Sequence, residues 1–109
     1  MTRSPAEKLT DAIRVEIVNF MNFAGVVTVT PLVSRPWASI TFSGVRHRLR
    51  IAFQGPGATG AAADLLGRLD DLEVAIPGLL LADLALLTES RSDDGTDAWL
   101  DLEALTIDE

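Results

Sequence analysis

Gly55, Gly57 and Gly60 fall at the spacing G-x-G-x-x-G, between the run RLRIAF and a Leu-rich stretch opening ATGAAADLL. Glycines so spaced let a backbone approach a dinucleotide pyrophosphate and turn helix N–H groups toward it. The flanks argue against that use. The strand entering a dinucleotide site is parallel, buried on both faces and almost wholly apolar, whereas Arg46, Arg48 and Arg50 occupy alternate positions here. The acids about where a ribose carboxylate would stand, Asp70, Asp71 and Glu73, precede Pro77 instead of closing a second parallel strand. Pro56 also stiffens the loop. The preferred reading is a strand-to-helix turn in which the glycines supply positive φ. The alternative is an enzyme or nucleotide/cofactor-binding protein using residues 55–60, and no cofactor is expected.

His47 is the only histidine and there is no cysteine, so thiolate nucleophiles and zinc–thiolate sites are excluded and only oxygen-ligand metals remain. The segment SRSDDGTDAWLD matches a calcium loop poorly, with Ser90 and Asp101 where the first and twelfth ligands belong. Asp70 and Asp71 are adjacent on an expected helix and point apart, which fails an acid–base dyad. No G-x-S-x-G elbow surrounds Ser39 or Ser43. His47 is expected in or beside the core, and no catalytic residue is assigned.

The remaining chemistry is a basic ribbon. WASITF and VRHRLRIAF are separated by Ser43 and Gly44, a two-residue spacing that predicts a tight hairpin. With Phe42 opposite Val45, one face would carry Thr41 opposite Arg46, Ser39 opposite Arg48 and Trp37 opposite Arg50, with Arg35 at its edge. The arginines would hold anionic groups, Ser39 and Thr41 would add hydrogen bonds, and Trp37 would stack on Arg50 for about 0.5–1 kcal/mol. Pairing of these arginines with Asp83, Asp101 or Glu103 on a second hairpin competes with that use.

The elements around these residues follow from period and capping. Residues 5–22 read as an amphipathic helix, with Ser4 as cap, Glu7 completing a capping box and Leu9, Ile13 and Ile17 on one face. GVVTVTPLVS is a β-branched strand expected to end near Pro31. A second helix follows the glycines, with Thr59 as cap and Leu65, Leu66, Leu69 and Leu72 at helical spacing. Residues 79–90 read as helix by their Leu and Ala content and as strand by the alternation of Leu80, Ala82, Leu84 and Leu86; the turn-rich SDDGTD and AWLDLEALTI beyond them favour a second hairpin, with a bulge near Glu103 and Ala104 to keep Leu105 and Ile107 on the apolar side. The expected fold is one α+β domain over residues 1–109, of order α-β-β-β-α-β-β, with two helices on a mainly antiparallel five-stranded sheet.

Composition narrows the partners. The chain has 109 residues, 48% of them apolar, and a mean hydropathy of +0.26, which leaves apolar surface for a second copy and predicts a homodimer. Residues 1–57 hold seven Lys or Arg against three acids, and residues 58–109 two Arg against thirteen acids. Such sorting predicts that basic and acidic parts face each other, within a chain or between chains. Net charge of −7 and 6% aromatic residues argue against nucleic acid. Neither a signal peptide nor a membrane span is legible, and a cytoplasmic location is expected. The sequence therefore points to a small binding or assembly module with a basic face for an anionic or protein partner.

Overall fold

A computed structural model describes residues 3–109. Helix α1, Pro5–Phe20, starts on the expected capping box: the Glu7 amide donates to Ser4 Oγ at 3.2 Å and the Ser4 amide to Glu7 Oε1 at 3.4 Å. It buries Leu9, Thr10, Ile13 and Ile17. Strands β1, Val26–Ala38, and β2, Ser43–Gln54, are followed by helix α2, Ala58–Gly67, a 3-10 turn at Leu69–Asp71, and strands β3, Leu79–Arg91, and β4, Asp97–Asp108. All neighbouring strands are antiparallel, in the order β1-β2-β4-β3.

Both helices lie on one face of the sheet, α1 against β1 and β2, α2 against β2 and β4. Leu9, Ile13, Ile17, Ala61 and Leu65 meet Leu49, Ile51, Phe53, Leu100 and Leu102 there in one apolar core. Phe23 packs edge-on against Phe53, with ring centroids 5.8 Å apart. The fold is α+β with two helices and an antiparallel sheet, but it has four strands in the order α-β-β-α-β-β, not five.

The missing boundary is Pro31. A proline denies a sheet one N–H, which matters between two neighbours but is tolerated on an edge strand, and β1 is an edge. The chain therefore runs on through Pro31 and Pro36, absorbing Leu32 in a register shift between Pro31 and Val33. Reversal comes earlier than expected, across residues 39–42 instead of 43–44. The Phe42 amide donates to Ser39 Oγ at 3.1 Å, and the Ser39 amide to the Phe42 carbonyl at 2.8 Å. Ser43 and Gly44 lie inside β2.

The second hairpin forms over the expected residues, but its irregularities are in β3, between Leu81 and Asp83 and between Leu86 and Thr88. β4 alternates without a break, turning Ala104 and Thr106 to the core and Leu105 and Ile107 to the opposite face. The bulge expected near Glu103 is absent because small Ala104 and hydroxyl-bearing Thr106 fit the buried positions; Thr106 finds a hydrogen-bond partner there. α2 is shorter than its leucine pattern predicted, and its cap is Gly57 at φ 87° with no side-chain bond, not Thr59.

Candidate functional site

Strand β2 alternates between two environments. His47, Leu49, Ile51 and Phe53 are buried beneath the helices, while Arg46, Arg48 and Arg50 stand exposed on the other face. The arginines therefore share one face as expected, but their neighbours differ from the expected ones. Arg46 lies opposite Arg35, Arg48 opposite Val33 and Arg50 opposite Thr30. Trp37 shares the face at its far end, opposite Gly44, six residues along β2 from Arg50. The expected Trp37–Arg50 stack does not form, since six residues of strand span about 20 Å. Ser39 and Thr41 sit in the turn, where the Ser39 hydroxyl is used to close it.

On the other side of β2, β4 brings acids to the same face. Arg50 Nε and Nη2 bond Asp101 Oδ1 and Oδ2 at 2.7 and 3.0 Å, and Arg46 Nη1 reaches Glu103 Oε1 at 2.5 Å. The hydrogen bond from Arg50 holds the Asp101 carboxyl below its ordinary value and raises the guanidinium in turn. Asp83, the third acid considered, makes no ion pair among the described residues, and neither do Arg35 and Arg48. A shallow groove of about 250 Å³ lies between these two arginines, lined also by Val33, Arg46 and Glu103. Two unpaired guanidiniums beside an apolar valine can take a carboxylate or another anionic group from a partner.

His47 is enclosed on the helix face. Its Nδ1 hydrogen-bonds Ser34 Oγ at 3.0 Å and its Nε2 Thr106 Oγ1 at 2.9 Å, the donor at each being set by the tautomer. Burial lowers its pKa. It is a cross-strand bolt joining β1, β2 and β4.

The glycine loop follows β2, whose two neighbours are both antiparallel. Gly55 and Gly57 have positive φ, 129° and 87°, while Gly60 lies within α2. Three N–H groups of this stretch are engaged by the chain itself: Gly55 donates to the Thr96 carbonyl at 2.8 Å, Ala58 to the Gly55 carbonyl at 3.1 Å and Thr59 to the Gly95 carbonyl at 3.4 Å. The β3–β4 turn thus takes up two of the amides, those of Gly55 and Thr59, that a pyrophosphate would need. No cluster of three or more metal-ligating side chains occurs among the described residues, and none of their helices is long and apolar enough to cross a membrane.

No family model matches this chain, and no curated protein matches it. Among solved structures, the chain is similar to one from the virion of a native gene transfer agent particle, with TM-score 0.56, 17% identity and 99% of each chain covered. The two share a fold. At that identity the likeness concerns backbone arrangement, from the first helix to the last strand.

Sequence reasoning missed the tip of the β1–β2 hairpin. Ile40 is fully exposed and Phe42 is more than half exposed. Turn positions ordinarily carry Gly, Pro, Asn, Asp or Ser, so apolar Ile40 and Phe42 in a turn are the unusual feature of this stretch. The strand-like alternation of WASITF masks it. Helix α1 spans about 24 Å, whereas thirteen strand residues span about 43 Å, so β1 outruns its cover.

Proposed function

We propose that this chain is a structural assembly subunit, acting by placing its uncovered sheet surface and hairpin tip against other protein chains, including copies of itself. The observation that carries this reading is the tip: Ile40 and Phe42 are exposed on a turn whose hydrogen bonds are already closed by Ser39. A monomer gains nothing from presenting them to water, while an interface gains their burial. The arginine face supports the same reading, because Arg35 and Arg48 make no ion pair among the described residues although the chain's second half has a large surplus of carboxylates. The structural neighbour is named as part of a virion, an assembly of many protein chains, and this chain matches that neighbour along nearly its full length.

Catalysis draws no comparable support. His47 is closed in by two hydroxyls, and the amides of Gly55 and Thr59 are bonded to carbonyls of the β3–β4 turn. The test is sedimentation velocity across a wide concentration series at low and high salt. Concentration-dependent association that weakens with salt is expected, since contacts made by exposed arginines are screened. One monomeric species under every condition would refute the reading.

A further inference from the structure

We infer that the β1–β2 tip of one copy seats in the apolar groove at the start of β3 of a second copy, and that the contact is made twice, about a two-fold axis. This rests on the assembly reading and names its partner and surface. The groove, about 610 Å³, is lined by Leu72, Val74, Ala75, Pro77 and Leu80, with Glu73 and Glu109 at its rim. Leu80 is itself half exposed. The tip is apolar and uncharged, and the stem beneath it presents Arg35, which makes no ion pair, opposite Arg46, which is held by Glu103 of its own chain. The groove is apolar with an acidic rim, and Asp70 and Asp71 lie on the turn leading into it. Knob and hole are therefore matched in hydrophobicity, and Arg35 is the stem cation left to meet the acidic rim.

Placement supplies the symmetry. Trp37 pairs with Gly44, Gly44 with Ile107 and Ile107 with Leu80, so one row across the sheet joins the foot of the tip to the mouth of the groove. Tip and groove thus occupy the same end of the sheet at opposite edges, about 14 Å apart across three strand spacings. A two-fold axis normal to the sheet at that end exchanges the edges and brings each tip to the other copy's groove. Another apolar groove, between α2 and β3 at Ala63, Leu66 and Arg91, lies toward the opposite end of the strands, beside the β3–β4 turn. No such axis reaches it from the tip.

The absence of cysteine from the sequence makes the test clean. Each variant carries a single cysteine, so any bond between positions 40 and 75 joins two copies. Ile40→Cys protein mixed with Ala75→Cys protein under mild oxidation is expected to yield a covalent heterodimer, and Ile40→Cys with Ala63→Cys is not. In sedimentation, Ile40→Ser with Phe42→Ser should weaken self-association at least about tenfold, as loss of central apolar anchors does, without shifting the melting midpoint of the dilute protein. Arg35→Glu should weaken it and Glu73→Arg on the partner copy restore it. Absence of the 40–75 link while the wild type still associates would overturn this contact and leave the assembly reading standing. Wild-type protein that is monomeric throughout would overturn both.

Discussion

Arg50 forks onto Asp101 across directly opposed positions of β2 and β4, Nε to Oδ1 at 2.7 Å and Nη2 to Oδ2 at 3.0 Å. This joins the basic first half of the sequence to the acidic second half within one sheet. The bond lowers the Asp101 pKa, chiefly through the guanidinium hydrogen bond. A carboxylate whose folded pKa lies below its unfolded one contributes stability in full above the unfolded value, near 4, and loses it as pH falls through the folded value. The melting midpoint of wild type should therefore exceed that of Asp101→Asn at pH 7, and the gap should close as pH falls from about 5 toward 2. A gap that is constant over that range would contradict the ion pair's role.

His47 gives the opposite end of the pH scale a clear probe, because it is the only histidine. Burial between Ser34 and Thr106 lowers its pKa. The unfolded chain, with an ordinary value near 6.5, then binds a proton before the folded one does. Stability from the neutral ring is accordingly complete above pH 6.5 and is lost as pH falls below it. In NMR the imidazole should titrate below 6.5, and the melting midpoint of wild type should fall between pH 7 and 5 more than that of His47→Gln. Titration at or above 6.5 would place the ring in water instead.

Alternation was the most legible signal in the sequence. Period-two patterns located Arg46, Arg48 and Arg50 on one face and His47, Leu49 and Ile51 on the other, and the capping residues Ser4 and Glu7 fixed the start of α1. What alternation does not encode is which neighbour a strand has. Pro31 ends a central strand but not an edge strand, so the true length of β1 depended on sheet order, a property of pairs distant in sequence. The turn error followed from it. Ser43-Gly44 has hairpin composition, yet its glycine answers a different need, close approach by β4, which no local window contains.

That need gives the third prediction. A Cβ built on Gly44 would collide with the carbonyl oxygen of Thr106 and press on the Ile107 backbone. Both contacts are to main chain in the paired strand, which cannot swing aside as a side chain does. Gly44→Ala should destabilise the protein by at least about 1–3 kcal/mol, the usual range for overpacking, visible in urea as a lower midpoint with an unchanged slope. If Gly44 served only as a turn residue with open space around it, the substitution would be nearly neutral.

The β3–β4 turn should control the start of α2. Asp94 Oδ1 accepts from Ser92 Oγ at 2.7 Å, Thr96 Oγ1 at 2.8 Å and the Thr96 amide at 3.1 Å, and its pKa is drawn down to about 2, first by the Ser92 hydroxyl and then by Thr96. This clasp aims the Gly95 and Thr96 carbonyls at the amides of Thr59 and Gly55. Asp94→Ala should therefore speed hydrogen exchange at Gly55 and Thr59 while leaving central amides such as those of Leu49 and Leu102 protected. Because the folded pKa is depressed, the clasp is complete above pH 4 and loosens only as pH falls toward 2. With those donors already spent, NAD, FAD and ATP should leave the wild-type melting curve where it is, since a ligand that gains no site in the folded state adds no stability. A rise in midpoint that Gly57→Val abolishes would mean the turn yields to a nucleotide, and the loop would regain the role its spacing first implied.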